Sequence, residues 1–130
     1  YLKQHTKPSL IPFIKTTYPK SWIVRYMFKQ YGAKDPVLKH VARHVKPYYW
    51  SDFPEFRDSK KPFYKDVLAH GLGNDGYCIP VHSTPNRFSL IILSSETPTE
   101  DFKKKVGKLD ELLQKIANEL HMKAIKETAL

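Results

Sequence analysis

In the stretch "YPKSWIVRYMFKQYGAKDPV", Tyr18, Trp22 and Tyr26 stand four residues apart, and a lone carboxylate, Asp35, follows directly before a proline. Four-residue spacing keeps rings on one side of a helix. Taken singly, such rings are core residues and an acid before proline is a helix N-cap. Yet Trp and Tyr carry polar tips that need partners when buried. With Trp50 these residues offer an apolar pocket holding a few convergent donors and acceptors, the usual makeup of a small-molecule site. Asp35 is the one acid among the first fifty residues, which hold ten Lys or Arg. Its carboxylate has two oxygens and about four acceptor positions, so one oxygen can cap a helix while the other faces a pocket.

Other residue types point away from catalysis. His40 and His44 share a helix at metal-ligand spacing, but no third ligand is near in sequence, and they read as exposed surface histidines. Cys78 has no nucleophile motif around it and reads as a small buried residue. Asp52, Glu55 and Asp58 fall in one polar loop and read as solvated. No nucleophile elbow, phosphate loop or dinucleotide fingerprint occurs. The expectation is a chain with no catalytic residue, no metal and no cofactor.

Punctuation sets the elements that position these groups. The opening "YLKQHTKPSLIPFIKTT" is β-like and broken by Pro8 and Pro12, giving edge strands and a turn. A helix is predicted over 19–31, with Pro19 in its first turn, Gly32 as its C-terminal cap, and Trp22, Ile23, Tyr26 and Met27 on one side. Asp35-Pro36 starts a second helix over about 36–45 that buries Val37, Leu38, Val41 and Val45 and stops at Pro47. Residues 48–50 read as a short extended segment, 51–61 as a loop, and Pro62 opens a helix that ends at Gly71. Strands at 77–83 and 88–96 flank a turn at 84–87 and make a hairpin. Thr97 and Glu100 form a capping box for a long last helix carrying Phe102, Val106, Leu109, Leu113, Ile116 and Leu120, a stripe that can face the sheet or a partner's equivalent helix. Helices, a hairpin and a helix in that order give an α+β fold with an antiparallel sheet.

At 130 residues the chain is one domain, and 41% hydrophobic residues suffice for a core. No apolar run reaches membrane-spanning length and none resembles a secretory leader, so no membrane partner is expected. A single cysteine suits a reducing cytoplasm. The chain opens on Tyr1 rather than Met, which points to a piece of something longer. Its formal charge of +9 arises entirely in residues 1–50, since residues 51–130 hold twelve charges of each sign. A basic half is either a solvated face or a nucleic-acid footprint.

The series "YPKSW…Y…DPV…KPYYW…GL…G…IPVHS…SLIILSSE", from about Tyr18 to Glu96, resembles the autoinducer-binding domain of LuxR-type quorum-sensing transcription regulators. The resemblance implies an α-β-α sandwich around a five-stranded antiparallel sheet, with an N-acyl-homoserine lactone enclosed between the sheet and one helical layer. It also implies a homodimer in the bacterial cytoplasm, with DNA bound through a helix-turn-helix domain that this chain lacks. Carried over, Trp22 donates its indole N–H to the lactone carbonyl, Asp35 accepts the ligand amide, and Tyr18 donates to the acyl carbonyl. Tyr26 and Trp50 wall the lactone, Pro36 supports the site, and Gly76 lies in the turn entering the hairpin.

Two positions depart from the pattern. Where relatives selecting 3-oxo or hydroxy chains often carry Ser or Thr, this chain has Val37 and Ile92, which favours an unsubstituted acyl chain. The turn between Gly71 and Gly76 is one residue longer than usual. Alternatives kept open are a receptor of the same fold for another amphiphile (a pyrone, a resorcinol or a plant compound), a basic nucleic-acid-binding module, and a lactone hydrolase or acylase for which no nucleophile or metal near Asp35 can be named.

Overall fold

Strands β3 (Asp75–Thr84) and β4 (Arg87–Ser95) form a long antiparallel hairpin, the frame of a computed structural model that describes residues 2–3, 15–41, 44–84 and 87–128. Two-residue strands flank it, β1 (Leu2–Lys3) on β4 and β2 (Tyr48–Tyr49) on β3, so the order is β1-β4-β3-β2 with every pair antiparallel. The sheet therefore has four strands among the described residues, against the five implied by the resemblance. The other edge-strand and turn residues expected at 4–14 lie outside the described residues, as do 85 and 86 of the hairpin turn. Tyr48 pairs with Cys78 and Tyr49 with Tyr77, so β2 stops short of Pro80, which has no N–H to give a neighbouring strand.

Alternation along the hairpin sends side chains to two hydrophobic clusters. Cys78, Leu90 and Ile92 join one; Tyr77, Ile79 and Ile91 join the other. The first is completed by helices α1 (Lys20–Phe28), α2 (Pro36–Val41) and α3 (Pro62–Ala69), which contribute Trp22, Val37 and Val67. Helix α4 (Thr99–Thr128) covers the second with Phe102, Val106 and Ala117. The fold is thus α+β with an antiparallel sheet, as expected. No helix among the described residues is long and apolar enough to cross a membrane.

Local details differ from the sequence reading, each for a stateable reason. Pro19 is the N-cap of α1, its carbonyl accepting the Trp22 and Ile23 amides, and the chain reverses at Gln30, not Gly32, with φ 54°. Gly32 instead lies within a 3₁₀ turn, Tyr31–Ala33, that carries the chain to Asp35. Trp22 sets the buried side of α1, which leaves Met27 62% exposed. Helix α2 ends at Val41 among the described residues, so His44 is not helical and Val45 is 69% exposed. The segment read as a loop contains two 3₁₀ turns, Trp50–Asp52 and Pro54–Phe56, which bury Trp50 and Phe56. Helix α4 starts at Thr99 and the Pro98 carbonyl accepts the Phe102 amide at 2.9 Å, so the cap falls on Pro98 rather than Thr97. Its apolar stripe divides: Phe102, Val106 and Leu113 face the sheet beside Ala117 and His121, while Leu109, Ile116 and Leu120 point outward. A small alanine and a histidine complete the inward face, and neither stands out in an apolar count.

Candidate ligand-binding site

Asp35 is both the N-cap of α2 and a buried acid. Its carbonyl accepts the Lys39 amide and its Oδ1 accepts the Val37 N–H at 2.9 Å, which seats Pro36 and Val37 in the first turn. Its Oδ2 accepts the Tyr26 hydroxyl at 2.7 Å. Burial pushes the Asp35 carboxyl above the usual carboxylate range, opposed by the bonds from Tyr26 and Val37. Burial and the neighbouring carboxylate drive the Tyr26 phenol far above its ordinary value, so it stays a donor. The cap expected of this carboxylate is made by Oδ1, while Oδ2 has a protein donor, the Tyr26 hydroxyl.

Around this acid the aromatic residues form a contiguous cluster. Trp22 is buried, edge-on to Tyr26 at 5.8 Å and stacked with Tyr31 at 6.1 Å, and Tyr31 meets Phe63 at 4.9 Å. Tyr31 also donates to Asp66 on α3, which binds Arg25 Nε at 2.9 Å, so α1 and α3 are tied across the cluster. Trp50 stacks on Phe56 at 5.2 Å and lies flat over Gly76. A Cβ at Gly76 would sit 2.4 Å from the Trp50 ring, so only glycine admits the indole. Gly76 is the second residue of β3 rather than part of a turn. Val37 is 2% exposed, and Ile92, half-buried on β4, pairs with Cys78 in the adjacent strand. Cys78 is fully buried, as read from the sequence, and burial raises its thiol well above the ordinary value.

Tyr18 stands at the entrance to α1 and reaches β4. Its hydroxyl donates to Ser94 Oγ at 3.0 Å, and Ser94 in turn donates to the Leu72 carbonyl at 2.6 Å. Tyr18, Trp22, Tyr26, Val37, Trp50 and Ile92 therefore all belong to one cluster, with Asp35 and Pro36 at its edge. Sequence reading missed Tyr31, Tyr48, Phe56 and Ser94. Only Ser94 had a signal, the period-two alternation from Leu90 through Ile92. Two surface concavities lie elsewhere, one along α1 at Ser21, Val24, Arg25, Phe28 and His70, the other on α4 at Asn118, Met122 and Lys126. Neither is lined by a residue of that cluster.

Histidine positions carry no metal geometry: no group of three or more His, Cys, Asp or Glu suited to an ion occurs among the described residues. His40 is half-buried rather than exposed, its ring stacked on that of His44 at 3.6 Å and edge-on to Tyr48 at 4.4 Å.

Comparison of the sequence with known proteins matches the chain to a family. Residues 3–124 fit the family described as autoinducer binding domain. Transcriptional activator protein RaiR of Rhizobium etli is 28% identical over 116 residues, spanning 88% of this chain and 47% of that protein. The HTH-type quorum sensing-dependent transcriptional regulator RpaR of Rhodopseudomonas palustris is 36% identical over 73 residues, 50% of this chain and 28% of that protein. The HTH-type quorum-sensing regulator RhlR of Pseudomonas aeruginosa is 29% identical over 98 residues, 74% of this chain and 39% of that protein. The chain spans less than half the length of these relatives. Such domains bind signals and are not an enzyme family. This chain belongs to the autoinducer-binding domain family of LuxR-type quorum-sensing transcription regulators.

Proposed function

We propose that this domain binds an N-acyl-homoserine lactone within the Trp22–Asp35–Trp50 cluster. The observation that carries the reading is the Asp35 carboxylate, 8% exposed, whose Oδ2 accepts the Tyr26 hydroxyl at 2.7 Å; a carboxylate oxygen has a lone pair for a second donor. In this reading Asp35 accepts the ligand amide N–H, Trp22 donates to the lactone carbonyl and Tyr18 to the acyl carbonyl. Tyr26 and Trp50 wall the ring, and Val37 and Ile92 contact the chain. A hydrogen bond to a charged acceptor contributes roughly 1.5–3 kcal/mol, and each buried methylene about 0.8 kcal/mol. Aliphatic Val37 and Ile92 favour an unsubstituted acyl chain.

In this reading the ligand enters as the cluster opens or as the chain folds around it. Binding then appears as stability: a ligand at a hundredfold excess over its dissociation constant adds about 2.7 kcal/mol, or roughly 10 °C in Tm for a domain of this size. Melting the domain with acyl-homoserine lactones of graded length tests this, with a Tm rise that peaks at one chain length as the expected outcome. No rise with any of them contradicts it, and mass spectrometry of co-purified material then reports on a pyrone, resorcinol or other amphiphile instead. The proposal extends to a five-stranded α-β-α sandwich, a cytoplasmic location, a homodimer through the outward face of α4, and DNA binding through a domain beyond this chain.

A further inference from the structure

Ser94 links three parts of the site that are distant in sequence. It sits near the end of β4, accepts the Tyr18 hydroxyl at 3.0 Å and donates to the Leu72 carbonyl at 2.6 Å. The segment carrying Leu72 is itself held to β4. Gly73 has φ 129° and lies so close to Ser95 that a Cβ there would approach its backbone to 2.8 Å, and the Asn74 amide donates to the Ser95 carbonyl at 2.8 Å. The Ser94 hydroxyl therefore has a fixed anchor on one side and the phenol on the other. Tyr18 precedes α1 and is half-buried, and Ser94 is the acceptor the structure gives its hydroxyl.

We propose that Ser94 is a positioning residue that aims the Tyr18 hydroxyl and so sets how strongly the site reads an acyl carbonyl; this rests on the lactone-binding reading above. A phenol has one proton to donate, and a serine hydroxyl has one proton and two acceptor sites. Without ligand, the phenol proton goes to Ser94 and the serine proton to Leu72. When a carbonyl reaches Tyr18, the phenol proton turns to it. The Ser94 proton then swings from the Leu72 carbonyl to the phenol oxygen, with no heavy atom displaced. Donation into the phenol polarises its O–H and strengthens the bond to the carbonyl. Val37 and Ile92 offer no hydroxyl for this task, whereas Ser94 lies one alternation step beyond Ile92 on the same strand face.

The test is a double-mutant cycle on ligand affinity in the 130-residue chain, using Ser94→Ala, Tyr18→Phe and both together. Two probes are compared, an N-acyl-homoserine lactone and its N-thioacyl analogue, whose sulfur is a weak acceptor. Ser94→Ala and Tyr18→Phe are each expected to lose about fivefold to tenfold in affinity for the acyl ligand. The double variant should lose no more than either alone, and the losses for the thioacyl ligand should fall below twofold. Ser94→Thr, which keeps the hydroxyl, should restore binding and also covers the case in which Ser94→Ala does not fold. Losses that simply add, equal losses for both probes, or no rescue by Thr would overturn the role of Ser94 while leaving lactone binding intact. A parent chain that binds neither probe overturns the proposed function, and this inference with it.

Discussion

A carboxylate enclosed by rings is destabilising unless its lone pairs find donors, and Asp35 has found two inside its own domain, the Val37 amide and the Tyr26 hydroxyl. Its cap and its burial were legible from "KDPV", because an acid before proline is a cap and the surrounding aromatics announced burial. That Tyr26 would occupy the second oxygen was not legible, since nothing in a four-residue spacing fixes where a phenol tip ends. Gly76 shows the opposite limit. Its presence was plain in the sequence, but its reason, the indole of Trp50 26 residues away, is a tertiary contact that no local pattern encodes. Gly76→Ala should displace that indole and cost about 1–3 kcal/mol of stability by overpacking. A denaturant titration with a Trp fluorescence readout checks it; an unchanged midpoint and spectrum would contradict the packing described.

At the scale of elements, the sequence carried helix α1, the hairpin and α4, whose periods are long and regular. It misplaced boundaries where side chains decide, at Gln30 and Pro98, and carried α2 on to residues 44 and 45, which are not helical. Helix α4 shows why its two faces were hard to separate: a polar residue, His121, sits on the buried one. Its Nε2 and Nδ1 lie 2.5 Å from the hydroxyls of Ser83 and Ser89, and the residue is 2% exposed. Ser83 reaches it from an irregularity in β3 between His82 and Thr84. Burial, then Arg87 and His82 nearby, hold the His121 imidazole below its ordinary range. The folded chain therefore takes up this proton at lower pH than the unfolded chain does. Acidification through about pH 6.5 protonates the unfolded state first, so the stability His121 contributes is present at neutral pH and is lost as pH falls. Asp35, shifted upward, works in the opposite sense at lower pH, so the informative quantity is a difference. Urea midpoints at pH 7.5 and 5.5 should fall further for the parent than for His121→Gln. Equal falls would remove His121 as a source of the pH dependence.

For the molecule as a whole, the sheet divides two interiors, one packed against α4 and one holding every residue proposed to touch ligand. The α+β class was readable because helical segments, a hairpin and a last helix follow one another in separate blocks; the number of strands was not, because β1 and β2 are two residues each and too short to show a period. Outward on α4, Leu109, Leu112, Ile116 and Leu120 are 41–54% exposed, an apolar strip suited to a second copy. Sedimentation equilibrium should give twice the chain mass for the parent and a single mass for Leu112→Glu/Ile116→Glu; a monomeric parent at every concentration would remove the strip as a dimer face. In the proposed function, ligand recognition turns on one atom pair, Asp35 Oδ2 and an incoming amide. Asn at position 35 can keep the cap through its oxygen and present N–H where the amide donor arrives. The most direct measurement is the Tm rise of parent and Asp35→Asn with an acyl-homoserine lactone and with the ester that lacks its N–H. The expected result is a large rise for the parent with the amide alone, and little for the variant with either. A variant that matches the parent, or a parent that responds equally to amide and ester, would contradict the central role of Asp35.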